Sequence, residues 1–150
     1  MMLRIVLMVM ATVTIAGACA QEPDLHLDFI NKMPPSFSFS GRSVATKFEI
    51  QELPQSKPLS KIDPYSIKGE AIWIITTSSS LKAGNWPVVT YGEVPSSFSQ
   101  PVPATGRPPK LAEDKLYIAR LAGEDDHDTR FFFEVRNGKI VNVTDKVFGP

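Results

Sequence analysis

Residues 130–141, with the sequence RFFFEVRNGKIV, decide the fold. Along a strand successive side chains point to opposite faces, so Phe131, Phe133 and Val135 share one face. The dipeptide Asn137-Gly138 is a strong two-residue hairpin turn, because a type I′ turn needs positive φ at both positions. The stretch therefore predicts a strand, a tight turn and an antiparallel strand that returns beside it.

Other short segments with period-two or β-branched character occur along the chain. Twelve of the thirteen prolines fall between Pro23 and Pro109, and proline inside a helix costs about 3 kcal/mol, so a long helix is not expected there. Around Trp73 the chain is apolar on both faces, which predicts a central strand buried on both sides. The other predicted strands are Ser36–Ser40, a segment around Phe48 and Ile50, Val88–Tyr91, Leu116–Leu121 and Lys139–Val143. The pattern predicts an all-β, immunoglobulin-like β-sandwich of about seven to eight strands.

Leu111 lies six residues before Tyr117, which opens a predicted strand. This spacing resembles the tyrosine corner of fibronectin type III and other immunoglobulin-like domains. The resemblance implies that the tyrosine hydroxyl bonds to the backbone a few residues upstream while the ring packs inside. Glu113-Asp114 stand where that corner has proline and glycine. An ordinary core tyrosine is the alternative.

The segment from Trp73 to Val141 resembles uncharacterised small exported bacterial proteins, some of them lipoproteins. The matching stretches are Tyr91-Gly92-Glu93-Val94-Pro95, Gln100-Pro101-Val102-Pro103, Pro108-Pro109-Lys110-Leu111, Tyr117, Phe133-Glu134-Val135 and Gly138-Lys139-Ile140-Val141. They cover about half of the chain. The resemblance implies a fold and a compartment, and it implies no activity.

Residues 1–20 have the layout of a secretory signal. A short basic start ends at Arg4, an apolar run extends from Ile5 to Ile15, and small residues follow. The apolar run is too short for the ~20 residues that span a bilayer as a helix. We therefore expect a signal peptide over residues 1–20, an extended leader or linker over 21–35 and the sandwich domain over 36–150.

Two cleavage hypotheses remain for this signal. Ala18-Cys19-Ala20 satisfies the small-x-small rule for cleavage after Ala20. Residues 15–19 also resemble the lipobox of bacterial lipoproteins, in which Cys19 would be acylated and become the mature N-terminus. Cys19 is the only cysteine, and an exported protein has no packing reason to hold a free thiol there, which favours lipidation. Ala20 is not the aspartate of inner-membrane retention, so the resemblance implies attachment to the outer membrane.

Composition excludes several function classes. Sixteen basic and sixteen acidic residues give zero net charge, so no broad electrostatic footprint for nucleic acid is present. One cysteine excludes an intramolecular disulfide and every cysteine-rich zinc pattern. The two histidines, His26 and His127, leave little material for catalysis, and no serine lies in a G-x-S-x-G motif. We expect no enzyme activity, no catalytic residue and no cofactor.

An acidic segment, Glu124–Asp128, joins two of the predicted strands. Asp125, Asp126, His127 and Asp128 are weak candidates for binding a divalent cation, because such ions bind several oxygen ligands. The segment lacks the alternating ligand spacing and the turn glycine of a calcium loop. A solvated hairpin tip is the favoured interpretation, and no metal is expected.

Three aromatic residues are candidates for a binding face. Alternation sends Phe132 to the face opposite Phe131, among charged residues, which is typical of an interface anchor. Trp86 and Phe98 lie on predicted loops. The alternatives are that the N-terminal segment covers Phe132 and that the other two rings plug the end of the core.

These observations favour a noncatalytic, exported cell-envelope lipoprotein that acts as an interaction module in the periplasm. Its expected partner is an envelope protein or a glycan, and the membrane would be reached through the lipid on Cys19. The alternative is a periplasmic inhibitor or immunity-type protein. A hydrolase or metal-dependent enzyme is the least favoured hypothesis.

Overall fold

A computed structural model describes residues 25–54, 58–124 and 127–148. Within these ranges it contains nine β-strands and one short α-helix. The strands are β1 (His26–Ile30), β2 (Ser36–Ser40), β3 (Val44–Glu52), β4 (Glu70–Lys82), β5 (Val89–Thr90), β6 (Ser99–Val102), β7 (Leu116–Gly123), β8 (Asp128–Arg136) and β9 (Lys139–Asn142), and helix α1 is Thr144–Phe148. All pairings are antiparallel. The all-β class is confirmed.

The strands form a three-stranded sheet, β1-β2-β5, and a six-stranded sheet, β6-β4-β3-β7-β8-β9. Strand β2 pairs with β5, β3 pairs with β7, and β7 pairs with β8. The immunoglobulin fold has the same neighbours, since its B strand lies beside E, C beside F and F beside G. Strands β6 and β9 lie at the two edges of the large sheet. The described strands number nine, more than the seven to eight that the sequence predicts, because β1 and β6 are not among the predicted strands.

The hairpin turn and the tyrosine corner both form as predicted. Asn137 and Gly138 have φ values of 52° and 66°, the left-handed conformation of a type I′ turn. The Tyr117 ring is fully buried, and its hydroxyl accepts a hydrogen bond of 2.9 Å from the backbone N–H of Ala112. Asp114 adopts a φ of 57° in the turn, so an aspartate occupies the backbone conformation that glycine usually supplies.

The core between the sheets is rich in aromatic rings. Alternation holds on β8, where Phe131, Phe133 and Val135 face this core. Strand β4 departs from the prediction, because Trp73 and Ile75 are buried while the alternate residues are half-exposed. The reason is that no residue of β4 belongs to the apolar cluster on the outer face of the large sheet, so that side of β4 has less cover.

A second apolar cluster lies on this outer face of the large sheet. It joins residues of β7 and β8 to the segment after β3 and to helix α1; its buried members are Leu53, Ile62, Leu116, Ile118, Phe132, Val143 and Val147. The backbone N–H of Val143 donates to the carbonyl of Phe132 at 2.9 Å, which fastens the start of α1 to β8. The chain therefore has a core on each side of β7 and β8.

The sandwich begins earlier than the sequence predicts. Residues 26–30 fall in the expected linker of 21–35, yet they form β1 and pair with β2 along its whole length. Leu27 is buried, and the ring of Phe29 lies 4.8 Å from that of Phe131 across the sandwich. The alternating HLDFI pattern buries enough apolar surface to hold the segment on the fold.

The expected signal segment, including Cys19, lies outside the described residues. In the parts of the chain that are described, no helix has the length and hydrophobicity needed to cross a bilayer.

Candidate functional site

None of the three aromatic candidates presents a free binding face. Phe132 has 0% exposure, so its role as an exposed anchor is wrong. Helix α1 covers it: the Phe148 ring lies edge to face at 5.7 Å, and the Thr144 hydroxyl accepts the Phe132 N–H at 3.0 Å. Trp86 is 6% exposed and packs on the half-buried Phe98, with ring centroids 4.7 Å apart, so this pair closes one end of the core.

The acidic segment does not assemble a metal site in the described residues. Asp125 and Asp126 lie outside them, and His127 is exposed. The Asp128 carboxylate contacts the guanidinium groups of Arg120 and Arg130. Nowhere in the described ranges do three His, Cys, Asp or Glu side chains come together as a metal would require. Asp128 is therefore a member of an ion-pair network on the sheet.

That network crosses three strands of the large sheet. Glu49, Arg120 and Arg130 are direct neighbours in register on β3, β7 and β8. Glu49 is only 3% exposed, and its carboxylate receives Arg120 Nη1 and Lys47 Nζ, each at 3.1 Å. Burial disfavours the charged form of Arg120, but its hydrogen bonds to Asp128 and Glu49 outweigh that effect and raise the pKa of the guanidinium. Several charged partners make burial of Glu49 tolerable.

A groove of about 590 Å³ lies at one end of the sandwich, between residues 33–35, 91–93 and 107–111. We call it the proline groove, because Pro34, Pro35, Pro108 and Pro109 all line it. Its size is in the range of ligand-binding clefts. Three segments that are distant in the sequence form its walls.

Tyr91 joins these walls. Its backbone N–H donates to the Pro35 carbonyl and its hydroxyl donates to the Pro109 carbonyl, each at 2.8 Å. The ring packs edge-on against Trp73 at 5.2 Å, which connects the groove to the core. Burial raises the pKa of the Tyr91 hydroxyl, so it stays a neutral donor. The neighbouring Gly92 has a φ of 82°, a conformation that lets the chain turn under Pro108.

The surface of the groove is apolar, with charges at its rim. Met33 is 42% exposed and contributes a flexible thioether side chain. Glu93, Arg107 and Lys110 also line the groove and make no ion pair within the described ranges. The rim therefore carries one net positive charge. This arrangement can accept an apolar side chain whose neighbours are acidic.

Sequence reasoning missed this site for a definite reason. In the sequence, the stretches around Tyr91 and Pro108-Pro109 indicate only the fold, and Met33 falls in the expected linker. Only the tertiary structure brings the three segments together.

The two histidines lie apart from the serines in the part of the chain that the structure describes. His26 is exposed and hydrogen-bonds Asp28 at 3.1 Å, and neither imidazole has a serine partner within the described ranges. No family model, no curated protein and no solved structure matches the chain.

Proposed function

We propose that this protein is an exported, noncatalytic interaction module that binds a segment of a cell-envelope protein in the proline groove. The observation that carries the proposal is the groove itself, an apolar cleft whose rim cations make no ion pair within the described residues. Exposed apolar clefts are typical of binding sites.

The occupant that fits is an extended peptide segment with an apolar side chain and flanking carboxylates. The apolar side chain would pack on the pyrrolidine rings and Met33, while Arg107 and Lys110 would pair with the acidic residues. A glycan fits less well, because sugar hydroxyls need many hydrogen-bond partners. The Tyr91 hydroxyl is already bound to Pro109, which leaves only Glu93, Arg107 and Lys110 as charged side-chain partners for sugar hydroxyls among the residues that line the groove.

The position of the groove suits a tethered module. Leu25 packs against Gly123 at one end of the sandwich, whereas Leu111 and Tyr117 lie at the other, separated by the eight residues of β7. At about 3.3 Å per residue this strand is ~26 Å long. If Cys19 is acylated, the six residue steps to Leu25 hold the domain within ~20 Å of the membrane, with the groove on the far side.

In-cell photocrosslinking tests the proposal. A photoreactive amino acid replaces Met33 in the groove or, as a control, Arg42, which is exposed near the Leu25 end. We expect one envelope protein to crosslink at position 33 and not at position 42. That protein, once purified, should bind the wild-type chain directly.

Charge reversal provides the second arm. Arg107→Glu with Lys110→Glu should weaken this binding roughly tenfold, since attraction becomes repulsion. The matched pair Arg42→Glu with Lys82→Glu, exposed at the opposite end, should leave the affinity unchanged. Equal effects of the two pairs, or equal crosslinking at both positions, would show that the groove is not the site. An enzyme as the captured partner, with its activity blocked, would turn the assignment into that of an inhibitor.

A further inference from the structure

A second cavity, of about 300 Å³, opens on the outer face of the large sheet and shares no lining residue with the proline groove. Its sheet side is made by Gln51, Ile118, Arg120 and Arg130, and its other wall is the loop of residues 65–69. We call it the cationic pocket.

Local sequence holds this loop in place. The Asp63 carboxylate accepts hydrogen bonds from the Ser66 hydroxyl at 2.7 Å and the Tyr65 N–H at 3.0 Å. These two bonds, the first more strongly, lower the pKa of Asp63. Arg130 Nη1 donates to the carbonyls of Pro64 and Tyr65, which fastens the turn to β8.

Gly69 closes the loop against β3. Its N–H donates to the Gln51 side-chain oxygen at 3.0 Å. A Cβ at this position would lie 2.5 Å from the Glu52 carbonyl oxygen, so only glycine allows the approach. The pocket is thus built by specific contacts on both sides.

The charged side chains that line the pocket all have the same sign. Three of its described lining residues, Lys68, Arg120 and Arg130, are cations, and none is a carboxylate. Arg130 is committed to Asp128 and the loop carbonyls. Arg120 uses Nη1 and Nε for Glu49 and Asp128, which leaves its Nη2 without a described partner.

Two further hydrogen-bond donors line the pocket. The Lys68 ammonium and the exposed Tyr65 hydroxyl have no hydrogen-bond or ion-pair partner in the described ranges. Ile67 and Ile118 supply an apolar surface beside them. Three free donors next to two isoleucines match an anion with several oxygens and a small apolar part.

We propose that the cationic pocket binds a phosphate monoester or diester, with the phosphate on Lys68, Arg120 and Tyr65 and the organic part against Ile67 and Ile118. Arginine and lysine together are the usual protein ligands of phosphate oxygens. A phosphate monoester offers three terminal oxygens to the three donors, and a diester offers two terminal oxygens together with its two bridging ones, whereas a carboxylate offers two oxygens in all. The volume is at the lower end of small-ligand clefts, so the ligand is small or enters only with its head group.

Titration of the purified mature protein tests this inference. Isothermal titration calorimetry with phenyl phosphate, inorganic phosphate and benzoate measures how much the phosphate group and the ring each contribute to the binding affinity. Phenyl phosphate should bind best, and both Lys68→Met and Tyr65→Phe should weaken it, the lysine change by roughly tenfold. Lys139→Met, an exposed lysine outside the pocket, is the matched control and should bind as wild type does.

A vesicle arm distinguishes a free ligand from a lipid head group. Flotation with phosphatidylglycerol in phosphatidylcholine vesicles uses the Cys19→Ser background, so that no acyl chain contributes. Binding of phenyl phosphate without flotation supports a soluble ester; flotation that Lys68→Met abolishes supports a phospholipid head group. Benzoate binding equal to that of phenyl phosphate, or equal behaviour of Lys68→Met and Lys139→Met in both arms, overturns the proposal.

Discussion

Replacing Phe132 by alanine removes a ring that is completely buried between β8 and helix α1. A buried phenylalanine removes at least ~150 Å² from water, which at about 25 cal/mol per Å² corresponds to ~4 kcal/mol. Large-to-small core substitutions of this kind cost about 3–5 kcal/mol. We therefore expect Phe132→Ala to lower the free energy of unfolding by that amount, a large part of the ~5–15 kcal/mol typical of a domain.

Urea denaturation followed by circular dichroism measures this difference. Phe148→Ala is the informative companion, because Phe148 is 42% exposed and its ring meets that of Phe132 in an edge-to-face arrangement. It should cost about 1 kcal/mol, and the double-mutant cycle should give a coupling of about 0.5–1.5 kcal/mol. A loss below about 1 kcal/mol for Phe132→Ala would refute the packing of α1 over β8, since an exposed ring costs little to remove. The affinity for a partner bound in the proline groove should not change in either variant.

Three further predictions concern the corner, the buried tyrosines and the pocket loop. Tyr117→Phe removes the acceptor of the Ala112 N–H and should cost about 1–3 kcal/mol in urea denaturation; no loss would mean that water replaces the bond fully. Burial raises the pKa values of Tyr91 and Tyr117 above their ordinary value of 10.0, so the folded chain keeps protons that the unfolded chain loses. Their contribution to the free energy of unfolding is complete below pH 10 and falls as the pH rises further, by up to ~1.4 kcal/mol per pH unit for each tyrosine. If the free energy of unfolding of the double phenylalanine variant fell with the same slope above pH 10, this prediction would be wrong. Gly69→Ala brings its Cβ against the Glu52 carbonyl and should cost about 1–3 kcal/mol, together with weaker phenyl phosphate binding, whereas wild-type stability would show that the loop adjusts freely.

Features set by near neighbours in the sequence were predictable. Alternation on β8 placed Phe131 and Phe133 in the core, and Asn137-Gly138 formed the expected turn. The spacing from Leu111 to Tyr117 indicates the tyrosine corner without reference to strand pairing, and the hydrogen bond between Tyr117 and Ala112 confirms it. These features depend on backbone geometry over a few residues, so a single sequence contains the information.

The burial of the three aromatic candidates was not predictable from near neighbours in the sequence. Alternation correctly put Phe132 on the outer face, but it could not show that α1 would lie over that face. From the sequence, Trp86 and Phe98 could either contact a partner or close the end of the core. In the structure they pack on each other and close the core. The exposure of a residue depends on which distant segment covers it. Because the hydrophobic effect is non-directional, the sequence around an apolar residue does not show which segment that is.

The sequence by itself determined the all-β class, the hairpins and the absence of a cysteine-based framework in the sandwich. Only the tertiary structure decided where binding sites could form. The proline groove joins residues 33–35 to 91–93 and 107–111, and the cationic pocket depends on the strand register that aligns Arg120 with Arg130. Local conformation follows from interactions between near neighbours, whereas a cleft or a row of charges arises from contacts between residues far apart in the chain.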